Sequence, residues 1–244
     1  MSTARWIYVF VAVALDGCAA LVAGVIPERW LERSREPLIG FAAGVLLATT
    51  FLDILPESLR RLSMAAVLAL VLASLTVMVV LEWTIGHRGR HGPGARPGGL
   101  ATILLGADAF HNAADGAAIA AAFLASTRLG VIAAVAVIIH EVPEEVADYV
   151  LLRRAGMSRP RAIVAMACVQ LTAAIVAVAT LVSATAWQPV SAVALAIAGG
   201  TFLHIAEVDL IPTVLERGGT RQRRVEVLLA LLAGIGLVVA ESAW

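Results

Sequence analysis

The sequence predicts an all-α polytopic membrane protein, with eight transmembrane helices in a 3+2+3 inverted-repeat bundle and both termini extracytoplasmic. Composition, the placement of arginine and an internal repeat predict it. Of 244 residues, 60% are hydrophobic and 15% are charged, whereas a soluble domain runs roughly 45–50% apolar and about 25% charged. Mean hydropathy is +0.90. The apolar residues gather into blocks close to the roughly 20 residues that a helix needs to cross a bilayer.

The blocks are Trp6–Ile26, Leu38–Leu55, Met64–Ile85, Gly99–Leu124, Leu129–Leu152, Ala162–Ser183, Pro189–Leu215 and Val225–Ala240. The first is long for a signal peptide and is interrupted by Asp16, so it reads as a retained span. Connections such as Arg88–Gly99 and Glu216–Arg224 are short and rich in Pro, Gly and Arg. No linker is long enough to set off a soluble domain, so residues 1–244 read as one membrane domain. Cys18 and Cys168 fall inside apolar blocks and read as small packing residues rather than a disulfide framework.

All 18 basic residues are arginine, and net charge is zero. Nothing forms a basic nucleic-acid patch, which excludes nucleic acid as a partner and leaves the lipid bilayer. Fourteen of the 18 arginines lie in the loops after the first, third, fifth and seventh spans. Arginine-rich loops are cytoplasmic, which puts both termini outside.

Ala42–Leu59 aligns with Ala198–Leu215 at an offset of 156. Both stretches carry Asp-x-x-Pro (Asp53 and Pro56, Asp209 and Pro212), each with a Gly nine residues before the Asp (Gly44, Gly200). The fourth and fifth spans correspond at an offset of 29, pairing His111 with His140, Asn112 with Glu141 and Asp115 with Glu144. Both pairings join spans that run in opposite directions. An inverted repeat with a site near the midplane at the repeat interface is a common transporter build, although channels and membrane enzymes also carry repeats.

The fourth span reads AFHNAADGAAIAAAF and the fifth IIHEVPEEVADYVLL. Residues four apart share a helix face, so His111 stands above Asp115 and His140 above Glu144, flanked by Asn112 and Glu141. Two antiparallel helices in contact would converge two imidazoles and at least three carboxylates. The spans also hold Asp108, Glu145 and Asp148, with no Arg or Lys inside either. At about 2.5–3.5 kcal/mol each on insertion scales, four near-central carboxylates cost on the order of 10 kcal/mol uncompensated. Compensation must come from protons, water or a bound cation. Imidazole with carboxylate suits zinc and its first-row neighbours, whereas calcium and magnesium prefer oxygen alone. A lone membrane His or Asp often serves only helix packing, and intramembrane acids also form proton relays. Pro143 removes a backbone donor beside these residues.

At these residues the chain resembles the ZIP (Zrt/Irt-like) family of metal transporters, bacterial type. The family's HNxxDG appears as His111-Asn112-Ala113-Ala114-Asp115-Gly116, and its HExPxE as His140-Glu141-Val142-Pro143-Glu144-Glu145. The resemblance implies transport of divalent transition-metal ions into the cytoplasm, zinc first, with cadmium, iron(II) and manganese as further cargo. It implies a binuclear site in which His111, Asp115, His140 and Glu144 hold the first metal. Asn112, Asp115, Glu141 and Glu144 hold the second, with Asp115 and Glu144 bridging. It also implies an elevator-like movement of a bundle holding the fourth and fifth spans, frequent homodimers, and a bacterial inner (cytoplasmic) membrane.

Two departures stand out. Where a related branch has a metal-binding Glu on the sixth helix, the nearest residue here is Gln170. Pro212-Thr213 replaces the usual Pro-Glu of the seventh. The often His-rich loop before the fourth span offers only His87 and His91.

Asp53 and Glu57 on the second span approach the outer surface by this topology. Glu207 and Asp209 on the seventh approach the inner one, with His204 nearby. These five residues are expected to relay metal to and from the centre, with helix capping or packing as the plainer role. The alternative function is an intramembrane metal-dependent hydrolase. Its HExxH form fails because the residue four after His140 is Glu144.

Overall fold

The structure is a computed structural model that describes residues 3–23, 28–90, 97–186, 189–211 and 220–242. They form eight helical rods. α1 is Thr3–Ala23. α2 is Glu28–Thr49, continued by a π turn at Thr50–Ile54 and a last turn at Leu55–Leu59. α3 is Met64–Arg90, α4 Pro97–Ala125, α5 Thr127–Arg154 and α6 Arg159–Ala186. α7 is Val190–His204 followed by a second π turn at Ile205–Leu210, and α8 is Arg221–Ser242.

The rods are longer than the apolar blocks. α2 begins ten residues before Leu38, and α3 runs on through His87 to Arg90. Hydropathy marks only the part of a helix that lipid surrounds. Glu, Arg and Leu are good helix formers, and they carry the rod past the apolar boundary.

The interior is largely apolar, yet the outside is apolar too and several charged groups are buried. Large apolar side chains point outward on α3 (Leu68, Leu72, Trp83), α6 (Val164, Leu171, Ile175) and α8 (Leu228, Leu229, Leu232), while Asp16, Asp115, His140 and Glu141 are buried. Cys18 and Cys168 are exposed as well, so they do not pack the core as the sequence reading expects. Four stretches are long and apolar enough to cross a membrane among the described residues: Glu36–Leu59, Met64–Leu81, Arg159–Ala186 and Val190–Val208. A chain that folds this way is a multi-pass membrane protein.

α1, α4, α5 and α6 pack on one another, and α2, α3, α7 and α8 form a second set; α4 meets α7, and α2 meets α5, between them. Without a hydrophobic drive between helices in lipid, close backbone approach at small residues holds such sets together. Two glycines show it. A Cβ at Gly116 would collide with the Ala173 carbonyl of α6, and one at Gly44 with the Leu231 carbonyl of α8. Thr172 adds a hydroxyl donor to the Ala109 carbonyl of α4 at 2.9 Å. At the far end of the second set, Arg223 of α8 meets Glu36 of α2 at 2.8 Å.

The two π turns sit at matching places in the repeat. With the offset of 156, Thr50–Ile54 falls on residues 206–210, inside Ile205–Leu210. A π turn is one residue inserted into an α-helix, so the same insertion occurs beside Asp53 and beside Asp209.

Candidate metal centre

Ser126 alone separates α4 from α5. Its backbone is extended (φ −157°, ψ 156°), and its hydroxyl caps α5 by accepting from the Leu129 N–H at 3.0 Å. The reversal makes an antiparallel hairpin. His111 lies fifteen residues before Ser126 and His140 fourteen after it, so the two histidines fall at one depth. Each occupies the face that its (i, i+4) acidic partner shares.

The imidazoles meet Nε2 to Nε2 at 3.0 Å, with ring planes 74° apart. Asp115 Oδ2 lies 3.4 Å from His111 Nε2 and 3.3 Å from His140 Nε2. Glu144 Oε2 is 3.5 Å from His111 Nε2. His111, His140 and Glu144 can present ligand atoms to one point, and so can His111, Asp115 and Glu141. His140, Asp115, Asn112 and Glu141 are essentially inaccessible. Phe202 of α7 closes the site over the His140 ring, 6.1 Å away centre to centre. Neither oxygen of Glu141 has a hydrogen-bond partner, nor does Glu144 Oε2. Buried carboxylate oxygens in that state must be neutralised, by protons or by a bound cation.

Asn112 donates its amide to Asp108 Oδ1 at 2.7 Å and to the Asp108 carbonyl at 3.1 Å, which leaves its Oδ1 unpartnered. Gln170 is turned elsewhere. Its amide nitrogen donates to Glu145 Oε1, so it stands beside the cluster as a donor. Sequence reasoning assigned no role to Glu145, Asp108 or Asp16, and all three are buried. The first two belong to the acidic stripe of α4 and α5; Asp16 arrives from α1 through a contact that no local spacing reveals.

The outlying residues divide between the two ends of the bundle. Asp53 and Glu57 line a cavity of about 300 Å³ with Arg60, Ser126 and Arg128, beside the α4–α5 turn. Glu57 pairs with Arg60 at 3.1 Å. Glu207 is exposed on the second π turn, whose last residue, Leu210, lines a separate cavity of about 260 Å³ with Gly40 and Arg224. His204 is buried on α7. The side chains of Asp209, Pro143 and His87, together with His91, Pro212 and Thr213, lie outside the described residues.

The fold and site thus define a multi-pass membrane protein with a buried imidazole–carboxylate cluster. A family profile described as "ZIP Zinc transporter" matches residues 86–240, well over half of the chain. The chain belongs to the ZIP zinc transporter family. It is 37% identical over 142 residues to "Zinc transporter zipt-7.2" of Caenorhabditis elegans, covering 57% of this chain and 30% of that protein. It is 35% identical over 143 residues to "Zinc transporter ZIP10" of Danio rerio, covering 57% and 16%. It is 32% identical over 227 residues to "Zinc transporter ZIP13" of Pongo abelii, covering 85% and 66%. The chain therefore spans less than two thirds of each of these curated relatives, all of them animal proteins.

Proposed function

We propose that the chain carries divalent transition-metal ions, zinc foremost with cadmium, iron(II) and manganese as further cargo, across the membrane into the cytoplasm. The observation that carries this reading is the pair of imidazole nitrogens 3.0 Å apart with Asp115 Oδ2 and Glu144 Oε2 within 3.5 Å. His111, Asp115, His140 and Glu144 hold the first metal. Asn112, Asp115, Glu141 and Glu144 hold the second. Zinc is cargo here, so the site must bind it and release it. Neutral imidazoles and shared carboxylates give affinity without the closed four-thiolate shell of a permanent structural site.

The whole chain, residues 1–244, acts as one domain of eight crossings in a 3+2+3 arrangement with both ends outside. Asp53 and Glu57 take metal in beside the α4–α5 turn, and His204, Glu207 and Asp209 pass it on at the cytoplasmic end. The matching π turns support that inverted relation. The protein works as a homodimer in a bacterial inner membrane. The deciding experiment is zinc uptake into proteoliposomes, wild type against Asp115→Ala. Uptake by the variant at the wild-type rate would refute the site.

A further inference from the structure

Asp16 comes from α1, which carries none of the family's ligand motifs. Its side chain is fully buried, and neither carboxylate oxygen has a hydrogen-bond partner. α1 packs against both α5 and α6, and Asp16 is turned inward from it. The carboxylate therefore stands on the α1 side of the central cluster. Gly17, the next residue, faces Gln170; a Cβ there would lie 3.8 Å from the Gln170 Cβ. α1 and α6 meet beside the acidic stripe of α5.

Charge decides what Asp16 is for. Two divalent ions bring four positive charges. Asp115, Glu141 and Glu144 bring three negative ones, and Asn112 and Gln170 bring none. A shortfall inside a low-dielectric site leaves the two cations repelling each other. Of the other buried acids, Asp108 and Glu145 each accept from a neutral amide, of Asn112 and Gln170; Asp16, with neither oxygen engaged, supplies the fourth. A packing role does not account for it, because a buried carboxylate with both oxygens unpartnered costs stability that an amide or alanine would spare.

We infer that Asp16 is a ligand-side carboxylate of the second metal position, supplied by α1 in place of the one that α6 lacks at Gln170. This rests on the reading of the centre as a metal site, and it adds a residue to that site.

Calorimetric zinc titration of the full chain in detergent, with a competing chelator, tests it. The wild type should bind two equivalents. Asp16→Asn should leave the first within about twofold and weaken the second by about tenfold or more, the scale of losing a supporting group at a metal. The double variant Asp16→Asn, Gln170→Glu should recover the second equivalent to within about threefold of wild type. An Asp16→Asn variant that keeps both equivalents unchanged overturns the inference. So does loss of both equivalents without recovery in the double variant, which would make Asp16 structural. A wild type that takes only one equivalent, lost in His111→Ala, overturns the inference but leaves the centre standing. A wild type that binds no zinc, or binds it equally in His111→Ala and His140→Ala, removes the reading of the centre and this inference with it.

Discussion

Nδ1 of His140 donates to the carbonyl oxygen of Ala136, 3.1 Å away and one turn earlier on α5. A carbonyl oxygen can only accept, so the neutral ring carries its proton on Nδ1. The lone pair on Nε2 then faces His111 and Asp115. Fixing the tautomer and orientation of a ligand histidine through its second nitrogen is how metal sites are preorganised. The helix supplies this orientation from its own backbone.

The shared carboxylates should be the most sensitive positions. In the proposed site, Asp115→Ala or Glu144→Ala removes a ligand from both metals at once, whereas His111→Ala or His140→Ala removes one from the first. Zinc flux in proteoliposomes should fall to background in either carboxylate variant and steeply in the histidine variants. Normal uptake by the Asp115→Ala, Glu144→Ala double variant would show that metal passes elsewhere.

Orientation is open to chemical labelling. Cysteines near Arg90 and at Arg221, in a background with Cys18 and Cys168 replaced, should be shielded from membrane-impermeant thiol reagents in intact cells. One at Thr185, exposed near the end of α6, should react. The reverse pattern would turn the protein over, and import could no longer be inferred.

Gly116 belongs to the same motif as His111 and Asp115, but its work is packing. A Cβ there meets the Ala173 backbone, which cannot rotate aside. Gly116→Ala should destabilise the α4–α6 pair by about 1–3 kcal/mol, the usual cost of overpacking, and lower the midpoint of thermal unfolding in detergent. Gly106→Ala is the control, because nothing lies near its Cβ. Equal midpoints for the two variants would mean that α4 and α6 do not meet as described.

The convergence of His111 and His140 was readable because its information is local. Two histidines, their acids four residues on and a turn midway between them are enough to set His111 against His140. The rest was hidden for physical reasons. Hydropathy sees lipid contact, so the part of α2 before Leu38 did not register as helix. A π turn changes the register by one residue without altering composition, so Asp53 and Asp209 could be matched as a repeat while the distortion they share could not. Asp16 looked like a blemish in an apolar span, since its meaning depends on α1 packing against α5. Gln170 was found as a missing carboxylate, but its donation to Glu145 needed coordinates.

The release step proposed for the cytoplasmic end should be separable from binding. Asp209 sits on the second π turn, at the place that Asp53 holds on the first. Asp209→Asn should slow zinc flux by roughly 10–100-fold, the range seen for supporting groups at metal sites. Zinc affinity at the centre should stay near wild type. If central affinity collapses along with flux, Asp209 serves the site or the fold and the relay idea fails.

The two metal positions should be unequal. The first has two imidazoles and two carboxylates, a donor set suited to zinc. In the proposed arrangement the second is built from oxygen ligands, Asn112 among them, and sits close to the first through the shared Asp115 and Glu144. A second cation is therefore repelled by the first at short range in a medium of low dielectric. The first position should fill at low zinc and the second only at higher zinc, as a stepping stone. Gln170 bears on this directly. Its amide now caps Glu145, so Gln170→Glu both adds a charge and releases Glu145 from a neutral donor. Two facing carboxylates without a cation would repel, so the variant should be less stable without metal and tighten the second position more than the first. A zinc titration followed by anomalous scattering, wild type beside Gln170→Glu, reads both sites at once. Equal occupancy of the two positions throughout the wild-type titration would refute the asymmetry. An unchanged second position in the variant would mean that α6 does not face it.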